Sequence, residues 1–343
     1  MKKSLIALAV LAASGAAMAQ STVTLYGVAD MWLGSVKAET GAVSTTTTAM
    51  VNGGVLTSRW GMKGSEDLGG GLKANFNLET AVGFDDGSST GFSRQSWVGF
   101  SGGFGAVKFG KTGTAFDNVN GSTDAVFNSD LSAGVAPTGY TGTGVMRNFN
   151  DAAGKTNNNI HYQAPTMGGL NGAVSYALAE DANNLPAGNQ AITAFNVVYA
   201  AGPVMAMLAY QKEDKNNTAN DLSYTQMGAT YDFGVAKAKF TYGKVDNTNA
   251  KASGSTTEWQ VGADVPVSAA LTLSAGYAKS TDNAASSAVG IGEVQRSGFG
   301  FAAAYSLSKR TMLYGGMKKV TLDNGTATDT DVTAYAVGVN HAF

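Results

Sequence analysis

SGFGFAAAYSL, residues 297–307, is the stretch whose reading decides the fold. Phe299, Phe301, Ala303, Tyr305 and Leu307 alternate with Gly298, Gly300, Ala302, Ala304 and Ser306. A period of two places these sets on opposite faces of an extended strand. One face is then aromatic and aliphatic, the other small. TEWQVGADV (257–265) repeats the beat, with Trp259, Val261, Ala263 and Val265 against Glu258, Gln260, Gly262 and Asp264. LKANFNLETAV (72–82) sets Leu72, Ala74, Phe76 and Leu78 against Lys73, Asn75, Asn77 and Glu79. Each segment runs about ten residues, the length of a tilted strand that crosses a bilayer.

Working outward from these stretches, sixteen segments of the kind follow one another, the first at 21–35, the second at 56–67 and the last at 330–343. Seven of the connections are short and turn-like: LGGG (68–71), GG (102–103), TMGG (166–169), AGP (201–203), DFG (232–234), PVSAA (266–270) and SLSKR (306–310). The other eight are long and rich in Asn, Asp, Ser, Thr and Gly, and the two kinds alternate. The pattern predicts an all-β fold, a 16-stranded antiparallel transmembrane β-barrel with short turns at one rim and long loops at the other. A soluble sandwich also alternates. Here the polar face is Gly, Ala, Asn and Ser rather than Lys and Glu, and Trp60, Trp97, Trp259, Tyr277, Tyr305 and Tyr335 are placed as an interfacial girdle.

Composition narrows the function. The 343 residues include no Cys, which excludes disulfide scaffolds and thiolate metal sites. Only 14% of residues are charged, and 23 Lys+Arg against 25 Asp+Glu provide no basic surface for nucleic acid. Residues 1–19, MKKSLIALAVLAASGAAMA, read as a signal peptide: Lys2 and Lys3, a short apolar run, and Ala17-Met18-Ala19 before the cut. That run is shorter than the ~20 residues of a spanning helix. Residues 20–343 then form a single barrel domain. The two histidines, His161 and His341, have no triad spacing around them, and the Gly clusters at 69–71 and 102–105 lie in turns without a following helix, so no catalytic residue, metal site or cofactor is expected.

VTLYGVAD (23–30), SRWGMKGSEDLGGGLKANFNLE (58–79), SRQSWVGFSGGFGAVKFGK (93–111) and the ending VGVNHAF (337–343) resemble the trimeric general porins of Gram-negative β-proteobacteria. The resemblance covers the first 110 residues and the terminal strand. It implies a homotrimer in outer-membrane lipid that passes ions and small hydrophilic solutes by diffusion. It also implies that Phe343 is read by the barrel assembly machinery. By the same resemblance, the long stretch 112–157 is the third loop, folded inward as a constriction, and it carries Asp117, Asp124, Asp130, Arg147 and Asp151. A loop of that length without structure of its own usually has a task.

Parity nominates the pore-lining charges. With Trp60 and Met62 facing lipid, Arg59 and Lys63 face the lumen; Lys73, Glu79, Lys237 and Lys239 do likewise on their strands. A charge facing lipid at mid-membrane costs about 2–4 kcal/mol, which favours the inward orientation. The resemblance carries a constriction arginine cluster onto Arg59 and Arg94, with Arg147 a looser match. Arg94 shares the parity of Val98 and Phe100, so its inward direction requires a local irregularity. Glu66, Asp67 or loop carboxylates are the expected partners. A basic cluster facing loop acids predicts a weak anion preference. Two alternatives stay open: a substrate-specific porin, which needs aromatic side chains along the lumen, and an adhesin or barrel enzyme acting through its loops.

Overall fold

The computed structural model describes residues 22–136, 144–179, 191–214, 221–247, 254–283, 294–323 and 328–343; residues 1–19, read above as a signal peptide, lie outside them. Alternation becomes seventeen strands: β1 (Thr22–Thr40), β2 (Val43–Asn52), β3 (Arg59–Gly69), β4 (Leu72–Ala81), β5 (Gln95–Gly102), β6 (Gly105–Gly113), β7 (Lys155–Gln163), β8 (Leu170–Ala177) and β9 (Ala191–Ala201). They continue as β10 (Val204–Asp214), β11 (Leu222–Asp232), β12 (Lys237–Asn247), β13 (Gly254–Pro266), β14 (Leu271–Asp282), β15 (Val294–Ser306), β16 (Thr311–Asp323) and β17 (Thr330–Ala342). From β3 to β17 every strand pairs antiparallel with the next. β1 closes the ring, with β17 on one side and β2 and β3 in succession on the other. β2 and β3 are one stave interrupted at residues 53–58, so the closed barrel has sixteen staves.

That interruption revises the expected first loop. The stretch read as a long polar connection between 35 and 56 is instead a hairpin: β1 runs on to Thr40 and turns at Gly41, whose φ is +57°. β2 then returns along it, Thr40 opposite Val43 and Met31 opposite Asn52. Thr45–Thr48 lack hydrophobic alternation, yet β-branched residues suit an extended backbone. The Asp30 carboxylate draws the break inward, accepting from the Gly54 and Leu56 amides (both 2.9 Å), Tyr314 Oη (2.7 Å) and Asn340 Nδ2 (2.7 Å).

The faces follow the alternation. Phe299, Phe301, Tyr305, Val337 and Val339 are exposed on the outside, while Ala302, Ala304, Gln260 and Glu258 are buried within. Trp259 and Tyr277 pack as an outward pair with ring centroids 5.6 Å apart. Trp97 is an exception to the expected girdle: it is aligned with Asn77 on the inner face, and the outward residues of β5 are Val98 and Phe100.

The chain between β6 and β7, described over 114–136 and 144–154, enters the barrel and seats against its inner wall. The described part of this third loop contains a 3-10 turn at Val126–Asn128 and a short helix α1 (Arg147–Asn150). Wall side chains hold it along its length. Ser175 Oγ accepts from the Ala115 amide and Ser274 Oγ from the Val126 amide, each at 2.8 Å. Lys318, fully buried, donates to the carbonyls of Ser132 (3.2 Å) and Val135 (2.7 Å).

Candidate functional site: the charged cavity beside the third loop

Arg59 opens β3 at its loop-side end, facing inward by the alternation that turns Trp60 out. One carboxylate, Glu79 on β4, meets it: Arg59 Nε lies 3.4 Å from Glu79 Oε2. Arg94 stands just before β5, where the chain is bent and strand parity does not apply. Its backbone amide donates to the Glu79 carbonyl (3.1 Å), and its Nε to Glu79 Oε1 (2.8 Å). Tyr26 Oη completes the set, its single proton shared between Glu79 Oε2 (3.0 Å) and Asn77 Oδ1 (2.8 Å). Two guanidiniums therefore share one buried carboxylate. Charge-assisted contacts of this kind fix orientation as well as contributing energy.

Arg59, Glu79 and Arg94 border a cavity of about 290 Å³, bounded on the other side by the start of the third loop and lined also by Lys108, Asp117, Asn118 and Lys155. Asp117 pairs with Lys155 at 3.3 Å. His161, inward on β7, brings its Nε2 within 3.1 Å of Asn118 Nδ2. Four basic residues and two acidic ones surround the space, a surplus of positive charge in a confined aqueous site. The sequence reading nominates neither Lys108 nor Lys155, and it turns Glu79 toward the lumen without its role as the bridging acid; cross-strand register to β5 and β6 is the signal available for Lys108.

Four expected members lie outside this cavity. Glu66 is near the turn-side end of β3, opposite Ala74 on the outward alternation, and does not meet Arg59; Glu79 has that role. Asp124 is buried under the loop, accepting from Ser132 Oγ (2.8 Å) and from Gln260 Nε2, so it fastens the loop and does not line the cavity. Burial pushes its carboxyl up to about 7, opposed by the Gln260 and Ser132 hydrogen bonds and by Lys239. Arg147 begins α1 against a different wall sector. Its Nε pairs with Asp151 (2.7 Å) and its Nη1 donates to Thr256 Oγ1 (2.9 Å), while Glu258 accepts from its amide at 2.6 Å. The third arginine of the expected cluster is therefore absent from the cavity, and lysines stand in its place. Lys63 does face the lumen, its Nζ 5.2 Å from the centroid of the Tyr26 ring. Phe343 ends the chain with its amide and carbonyl both bonded to Gly27 backbone, at 3.0 and 3.1 Å.

Comparison with known proteins completes the picture. A family model described as Gram-negative porin matches residues 5–325. Outer membrane porin protein 32 of Delftia acidovorans is 34% identical, with 100% of both chains aligned. An outer membrane porin protein of Bordetella pertussis is 30% identical over 67% of this chain and 63% of its own length. Among solved structures, the anion-selective porin from Comamonas acidovorans superposes with a TM-score of 0.75 at 27% identity, covering 94% of this chain and 100% of that one. A trimer form of OmpT of Vibrio cholerae shares the fold at 16% identity and a TM-score of 0.67, covering 94% and 99%.

Proposed function

This chain belongs to the Gram-negative porin family and forms a channel in the outer membrane, and from that premise we propose that the cavity beside the third loop is its constriction and favours anions. The observation that carries the proposal is the charge count around that cavity: Arg59, Arg94, Lys108 and Lys155 against Glu79 and Asp117. Low-dielectric walls focus the surplus on any ion passing through. The relative from Comamonas, described as anion-selective, supports the same sign. Asp117 is the loop's acid facing the basic wall, which sets a field across the pore rather than along it.

The assembly is a homotrimer in this reading. β4 to β8 have only 8–10 residues each, against 12–13 in β13 to β17. Eight residues tilted by about 40° span roughly 20 Å, short of the ~25 Å apolar band of such barrels. A second copy covering that sector removes the mismatch. Residues 1–19 direct export and are cut after Ala19, and Phe343 marks the terminal strand for the assembly machinery.

Planar-bilayer recording of the purified protein under a potassium chloride gradient tests both statements. The expected result is large ohmic conductance closing in thirds, with a reversal potential displaced toward that of chloride. A reversal potential displaced toward potassium would overturn the assignment of the cavity as an anion-favouring constriction.

A further inference from the structure

Turn-ward of the charged cavity lies a second one, about 380 Å³, within the size range of small-molecule sites. Lys63 on β3, Asn77 on β4 and Trp97 on β5 stand opposite one another in consecutive register on the inner face. Lys108 of β6 reaches over the same indole, its Nζ 5.1 Å from the ring centroid, and borders both cavities. The two lysines have no carboxylate partner among the described residues. In the neighbouring cavity, Arg59 and Arg94 share Glu79 and Lys155 holds Asp117.

Several of the other polar groups of this shelf are already engaged. Trp97 Nε1 donates to Gln95 Oε1 (2.9 Å), so the indole offers its carbon surface. Asn75 Nδ2 donates to Ser101 Oγ (2.9 Å). Asn77 Oδ1 accepts from Tyr26, which leaves its amide NH2 as a donor. The site therefore presents two ammonium groups and one amide donor beside an indole and the methylene stems of the lysines. It has positive charge and apolar surface together, and no carboxylate among its lining residues.

We propose that this shelf is a binding subsite for organic carboxylates with an aromatic body, the carboxylate held by Lys63 and Lys108 and the ring laid against Trp97. The inference rests on the channel reading above and adds a preference that net charge alone does not provide. An inorganic anion gains nothing from the indole, and a neutral aromatic gains nothing from the ammonium groups. Tyr26 and Trp97 keep both lysines in place through cation–π contact, which reduces the ordering needed when a ligand arrives.

Benzoate is the probe and acetate its control, each added in turn to either chamber during single-channel recording in potassium chloride. Benzoate is expected to interrupt or saturably lower the current at concentrations where acetate does not. Lys63→Gln and Trp97→Ala each raise the half-blocking concentration about tenfold, the scale of one charge-assisted contact. Lys63→Arg retains the block. Titration of tryptophan fluorescence in detergent reads the same binding without current, with the benzoate response lost in Trp97→Phe. Equal block by acetate, equal block in all variants, or no effect of benzoate on a conducting channel would each overturn the subsite. Absence of potassium chloride conductance in folded protein would instead fail the channel reading, and the fluorescence titration still decides the subsite.

Discussion

Glu79 is the residue on which the charge balance of the constriction turns. Its side chain is 4% exposed and its two oxygens engage Arg59, Arg94 and Tyr26. Replacing it with Gln keeps the shape and one acceptor but leaves two guanidiniums unneutralised. Glu79→Gln is expected to move the reversal potential further toward chloride. Stability falls as well. Breaking a dry buried pair costs 3–5 kcal/mol, but both arginines are about one-fifth exposed to the lumen, so roughly 1–3 kcal/mol is expected here. A thermal unfolding scan beside the bilayer measurement checks both effects. An unchanged or cation-shifted reversal potential would mean that Glu79 is not near the permeating ions.

At the scale of elements, the third loop depends on glycines in the wall behind it. Cβ atoms built on Gly262 and Gly276 would overlap Ala125, and one on Gly300 would overlap the Leu131 carbonyl. The glycine-rich inner face that distinguishes these strands from a soluble sheet is thus the seat of the loop. Gly262→Val is expected to unseat the Val126 turn and raise single-channel conductance; unchanged conductance would show that the loop does not limit the current. Asp124 adds a pH dependence. Its folded carboxyl titrates near 7 against an ordinary 3.8 because burial penalises the charge. The seated loop holds the proton more tightly than an unseated one, so seating weakens as pH rises from about 4 to 7. Open-channel current noise is expected to be greater at pH 8 than at pH 5. In Asp124→Asn this difference disappears.

For the whole molecule, closure of the sheet is what removes exposed strand edges in lipid. The seam joins the first strand to the last: β1 pairs with β17 from Val28↔Ala342 to Thr40↔Thr330. Phe343 lies across Gly27, where a Cβ would overlap the aromatic ring and come within 2.8 Å of the Arg59 carbonyl. Gly27→Val therefore strains β1 against both its neighbours, Phe343 on one side and Arg59 on the other, and is expected to cost about 1–3 kcal/mol. The readout is the temperature at which the folded band converts to the unfolded one on a gel in SDS. An unchanged conversion temperature would place the seam's stability elsewhere.

The amino-acid sequence by itself determined the two-residue alternation, the sixteen staves, the seven turns and the family, and it directed Arg59 and Lys63 inward. These are local properties. Lipid on one side and water on the other constrain each strand residue by residue, and glycine turns need only their own backbone. Tertiary structure alone decided which charges meet. Glu79 joins Arg59 to Arg94 through register across β3 and β4 and a bend before β5, while Arg147 and Asp124, though close to the right loop, are carried to other walls. It also set Lys108 over the Trp97 indole and extended β1 and β2 into a hairpin. Such outcomes depend on where a long loop crosses the lumen and on pairings between distant residues, and no period along the chain records them.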